Sequence, residues 1–188
     1  MPTNLFDWDE LNLVREESRI LIREARRRKP DRERIDRFCD YVDFVLCLIY
    51  AFGWRDAETV VGPVRMPDGI DDTTVNLMID GETFRDRLRE QIDQLSEDGV
   101  ERIINTEMHR DYNTGVVNAG QLSGKNVRKR WNTMMDEKVR DTHDYLEGAV
   151  VGINDLFYTF DGDSAMAPGG FDLAQNNVNC RCWITLEQ

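Results

Sequence analysis

The chain has 188 residues, 40% of them hydrophobic and 32% charged, which describes one ordinary domain, or a helical arm on a smaller one, and excludes a disordered chain. Its formal net charge of −12 excludes a general nucleic-acid coat, because phosphate binding needs a concentrated cationic surface. The longest apolar run, Val42 to Phe52, is broken by Asp43 and falls short of the roughly 20 residues of a bilayer span; acids at the amino terminus stand where a secretory signal is basic, so synthesis in the cytoplasm is expected.

Asp7 and Glu10 read as a capping box, opening a helix through Leu11, Val14, Ser18 and Leu21 that ends at Pro30. Asp31 caps a second helix, with Ile35, Phe38, Val42, Val45, Leu46 and Ile49 at helical spacing and a stop at Gly53. These two helices are expected to run antiparallel. Cys39 and Cys47 lie on the second among apolar neighbours and are expected to pack as small hydrophobes. Arg23, Arg26, Arg27, Arg28, Lys29, Arg32, Arg34 and Arg37 form one basic segment, and Lys125, Arg128, Lys129 and Arg130 a second. Solvated faces are the ordinary reading of such runs; contact with DNA or an acidic partner is the alternative.

Between Gly53 and Asp72, the breakers Gly62, Pro63, Pro67 and Gly69 predict a connecting loop and the best boundary. A third helix is predicted over 81–95, with Phe84, Leu88, Ile92 and Leu95 on one face. Gly99 separates it from a fourth over 100–122, where Ile103, Ile104, Met108, Tyr112 and Val116 make an apolar stripe. Ser123 and Gly124 stop it. Residues 127–135 alternate charged and apolar side chains around Trp131, as a half-buried strand does. A short helix from Asp136, short β-prone runs at 149–153, 156–160 and 181–186, and a long tied-down surface loop at 161–179 complete the chain. Trp131 and Trp183 are expected in the core.

The fold class is therefore α+β: a helical N-terminal half followed by a small C-terminal domain of helices packed on a short, mainly antiparallel sheet. The expected division is 1–98, a helical arm that binds partners, and 99–188, an independently folding domain.

The block from about Ile103 onward carries three sequence pieces in order. The first is Thr106, Glu107, Arg110, Asn113 and Gly115; the second is Trp131, Asp136, Arg140, His143 and Gly148; the third is Pro168 and Gly169 followed by Asn179, Cys180, Arg181 and Cys182. Together they resemble the phage Mu F-like, or phage head morphogenesis, family of minor head proteins. The 53–58 segment also resembles material found upstream of that domain. The resemblance implies a minor head protein of a tailed bacteriophage, with a structural or assembly role at the portal or inner capsid. It further implies location in the virion head in multiple copies, with the portal or major capsid protein as partner and contact with packaged DNA through the basic segments. No membrane partner is implied. Members of the family also occur fused to toxin domains; a chain closing a few residues after Cys182 is expected to carry no downstream effector.

Cys180 and Cys182, one residue apart on a presumed strand, would point to the same face. With His143 they would supply three of the four ligands of a tetrahedral zinc site, and Asp141, Asp144 or His109 could be the fourth. Structural zinc sites usually space paired cysteines more widely, so packed thiols ending a strand beside a hydrogen-bonded His143 are the ordinary reading, with zinc or a disulfide as the alternatives, and no cofactor is expected beyond the possible zinc. An acid–base nuclease is a further alternative, with Glu107, His109, Arg140 and His143 as its cast; no residue is assigned a catalytic role, and a metal-stabilised DNA-contacting module is the third reading. Asn113, Gly115 and Gly148 are expected in backbone turns and caps.

Overall fold

The computed structural model of the chain describes residues 9–28, 31–68, 78–79 and 81–188. Asp7, Lys29, Pro30, Gly69 and Asp72, which the sequence reading used as cap, basic residue, stop and loop, lie outside them. By packing, the chain groups into two units, one of residues 1–47 and 71–104 and the other of 48–70 and 105–188. This cut differs from the one expected at 98–99, because residues 48–70 group with the C-terminal block.

The first unit is helical. It holds α1 (Asp9–Ala25), the first half of α2 (Arg32–Val61), α3 (Phe84–Asp93) and the start of α4 (Glu97–Leu122). The helices bury most of the stripes their spacing predicts: Val14, Ser18 and Leu21, with Ile22 beside them, from α1, Ile35, Phe38, Val42 and Val45 from α2, and Phe84, Leu88 and Ile92 from α3. Leu95, expected on the face of a helix over 81–95, lies beyond the end of α3, half-buried at φ 57°. Cys39 is buried with them, whereas Cys47 is half-buried. Thr83 caps α3 in a reciprocal box with Asp86. Gly99 does not separate α3 from α4; it lies in the first turn of α4, where its N–H donates to Ser96 Oγ at 3.0 Å. A side chain there would collide with Gln91 and Ser96, so the glycine is a packing device inside the helix.

The second unit carries the sheet. α2 does not stop at Gly53 but continues to Val61, and Gly62 (φ 77°) ends it. Position 53 needs glycine because a neighbouring backbone lies against it: a Cβ there would lie 2.0 Å from the Tyr112 carbonyl oxygen, and one on Gly115 would lie 2.2 Å from the Tyr50 carbonyl oxygen. The two glycines thus let α2 and α4 cross almost backbone to backbone, with Tyr50, Trp54, Ala57, Met108, Tyr112 and Val116 buried. α4 ends at Leu122, as expected, and Gly124 turns with φ 65°.

β1 (Arg128–Asn132) is the central strand of an antiparallel sheet, flanked by β2 (Val150–Gly152) and by the C-terminal strand β5 (Trp183–Glu187). Register pairs Arg130 with Val150 on one side and Thr185 on the other. Strand parity sorts the side chains. Lys129 and Trp131 point inward and are fully buried, while Arg128 and Arg130 pair outward with Glu187. The second basic segment is therefore no cationic patch. On β5, Ile184 and Leu186 are buried and Trp183 is half-buried; the expectation of a core Trp183 fails because it has the opposite parity. A short hairpin of β3 (Phe157–Tyr158) and β4 (Ser164–Ala165) follows β2. No helix among the described residues is long and apolar enough to cross a membrane.

Candidate metal centre

The site is assembled from the turn after β1, a one-turn helix and the segment entering β5. The short helix does not start at Asp136. That carboxylate accepts from the Lys138 N–H at 3.0 Å and pairs with Arg181 at 2.8 Å, which holds it below the usual aspartate range. Helix α5 (Asp141–Asp144) begins after Arg140, in extended conformation, and carries His143. Arg140 Nη2 donates to the Val178 carbonyl at 2.6 Å, tying the start of α5 to the chain just ahead of the cysteines. A second short helix, α6 (Ala174–Asn177), precedes them, and Asn179 adopts φ 56°, a left-handed conformation that asparagine tolerates better than most. Cys180 and Cys182 lie in the extended segment just before β5 rather than in the strand, yet on one face, as expected.

Both sulfurs reach the same atom: Cys180 Sγ and Cys182 Sγ are each 3.4 Å from His143 Nδ1. The three donor atoms all lie within 4.8 Å of one another, and the residues are buried. Asp141, Asp144 and His109 do not join the cluster among the described residues. His109 is buried on α4 beside the pair, and burial pushes its ring down to about 4, with Cys180 and the Cys182 backbone opposing that shift. A thiol proton shared within the pair sets the electrostatics. The Cys182 thiol donates to Cys180 and lowers it well below an ordinary cysteine, against burial and with help from His143; Cys182 is raised by the same hydrogen bond and by burial.

Aromatic rings fix the imidazole. Phe171 stacks on it at 5.4 Å, and Trp131 meets it edge-on at 5.4 Å. Asn113, fully buried in mid-α4 and not in a turn, accepts from the Ile184 N–H at 2.9 Å and donates to the carbonyl of His109 at 2.8 Å and of Cys182 at 3.3 Å. It therefore anchors the cysteine segment to the helix behind it. Gly115 belongs to the helix crossing, and Gly148 (φ 73°) is the expected turn. Arg110 is buried and ion-paired with Glu107 one turn earlier, and Gly169 packs against it so closely that a Cβ would lie 2.9 Å from Arg110 Cβ. Glu107, with 0% exposure, cannot meet a substrate as the proposed nuclease cast requires. Sequence reasoning did not foresee Phe171, whose pairing with His143 spans 28 residues of chain, nor the anchoring role of Asn113, though Asn113 did stand in the quoted motif.

Cys180, Cys182 and His143 fit a zinc ion by chemistry: two thiolates and an imidazole are soft and borderline donors, unsuited to calcium or magnesium. A small cleft lined by Lys138, Val139, Arg140, Asn179 and Arg181 opens on all three.

A family model described as phage Mu protein F like protein matches residues 68–185. The minor head protein GP7 of Bacillus phage SPP1 is 30% identical over 79 residues, 41% of this chain and 26% of that protein. The NAD(+)–arginine ADP-ribosyltransferase EFV of Enterococcus faecalis is 41% identical over 59 residues, 31% of this chain and 12% of that protein. The chain thus spans about a quarter or less of the length of these relatives, and no solved structure matches it.

Proposed function

This chain belongs to the phage Mu protein F-like family, and we propose that it acts as a minor head protein, a structural or assembly component of a tailed-bacteriophage head. The observation that carries this reading is the family match over 68–185, which takes in α3, α4, β1, β2, the start of β5 and the cysteine–histidine cluster. The resemblance to a protein named for that role in Bacillus phage SPP1 supports it.

Within the head, the helical first unit is the partner-binding element, against the portal or the major capsid protein, in several copies per virion. Its arginines favour an acidic partner surface. Arg23, Arg27, Arg28, Arg32 and Arg37 are exposed, although Arg26, Arg34 and Arg37 already hold Glu97, Glu24 and Glu33, so contact with packaged DNA is secondary. The test is deletion from the producing phage, with mass spectrometry of purified particles and electron microscopy of the heads. A head component is recovered at defined copy number and its loss gives defective or fewer filled heads. Particles that lack the protein, with normal heads after deletion, would refute the reading.

A further inference from the structure

We propose that His143 Nδ1 and the sulfurs of Cys180 and Cys182 bind a zinc ion that ties the β5 segment to α5, with a water molecule from the adjoining cleft as fourth ligand. This inference is independent of the head-protein reading.

Geometry carries it. Nδ1 offers a single in-plane position, either a lone pair or one N–H, so a simple hydrogen bond accounts for one sulfur. Two sulfurs stand at the same 3.4 Å. A cation on that in-plane axis accounts for both: with Zn–S about 2.3 Å and Zn–N about 2.05 Å, tetrahedral coordination gives N···S edges of about 3.6 Å. The observed spacing is within about 0.2 Å of that edge. The Cys-x-Cys pair is a poor chelate alone, but His143 arrives from a different element and closes the third corner.

Chemistry and support agree with the geometry. Two thiolates with a dication form a neutral unit, which suits residues that are each only 2–3% exposed and lie among Trp131 and Phe171. Phe171 and Trp131 fix the ring plane, and Asn113 pins the Cys182 carbonyl and the Ile184 N–H, so the donors are held before any ion arrives. No described carboxylate or second histidine completes the shell, and the cleft beside Arg140 and Arg181 reaches all three donors. Water therefore takes the remaining position.

The experiment uses the full chain purified without chelator under reducing conditions. Elemental analysis should find near-stoichiometric zinc, and removing it should lower the melting temperature. Cys180→Ser and His143→Ala should each lose the metal. Because those variants can also fail to fold, wild-type protein stripped of zinc and reloaded with cobalt(II) gives an independent readout: sulfur-to-cobalt charge transfer in the near ultraviolet with intense tetrahedral d–d bands. No metal above background in folded protein, with no such bands on cobalt addition, would overturn the proposal. So would a Cys180–Cys182 disulfide in the freshly purified chain, or zinc retained in full by both variants while folded.

Discussion

Gly53→Ala offers the sharpest test of the fold, because two ordinary effects of the substitution oppose each other in sign. In a helix interior, alanine is favoured over glycine by about 1 kcal/mol, so an exposed site would gain stability. Here the new Cβ would stand 2.0 Å from the Tyr112 carbonyl oxygen and 2.9 Å from its carbon. Ordinary contact begins near 3.4 Å, so the backbone of α4 would have to retreat by about 1.4 Å. A helical carbonyl cannot swing aside without breaking its own hydrogen bond, so the whole crossing must open and loosen the buried Tyr50, Trp54, Tyr112 and Val116. Overpacking of this kind costs about 3 kcal/mol or more, which leaves a net loss of about 2 kcal/mol after the propensity gain. Urea denaturation followed by circular dichroism measures it. Gly115→Ala, facing the Tyr50 carbonyl at 2.2 Å, should cost a similar amount, and the double variant should cost less than the sum, since helices already forced apart accommodate the second methyl. A neutral or stabilising Gly53→Ala, or strictly additive losses, would refute the close crossing.

Further outcomes follow from other buried groups. Burial pushes the Lys129 ammonium from 10.5 down to about 8, against the attraction of Asp155. The unfolded chain therefore holds more protons between those values, and stability should rise with pH across that window by at most about 3 kcal/mol; stability curves of Lys129→Met and wild type with the same slope from pH 7 to 10 would contradict this. Asp163 accepts from the N–H groups of Ser164, Asp172 and Leu173 and from Asn176. Burial raises its carboxyl, but these donors outweigh that and hold it below the usual range, so its contribution is lost only as pH falls through that lowered value. Asp163→Ala should cost about 2–4 kcal/mol and speed amide exchange over 159–177; unchanged exchange there would count against the network. Limited proteolysis should cut first between Gly62 and Thr83. The fragment starting near residue 99 should be much less stable alone than with the piece ending near Val61, because residues 48–61 pack in its unit. Full stability of the isolated fragment would favour the boundary at 98–99 instead.

The family and the α+β class were legible in the sequence because they rest on local periodicity and on motif residues that keep their order along the chain. The same holds for the stripes of α1, α3 and α4, the parity of β1, and the gathering of His143 with Cys180 and Cys182. Strand parity even contained the inward Lys129 and the half-buried Trp183, though the expected readings were a solvated basic run and a core tryptophan. Other features belong to the tertiary structure alone. Gly53 reads as a helix stop until a second backbone is brought against it, since a glycine that ends a helix and one that admits a crossing helix look identical in one dimension. Asn113 anchors residues 69 and 71 positions away, Phe171 stacks on His143 across 28 residues, and that none of Asp141, Asp144 and His109 joins the cluster turns on where packing places their side chains. Local pattern determines which groups a segment presents; only packing between segments distant in sequence decides which of them meet.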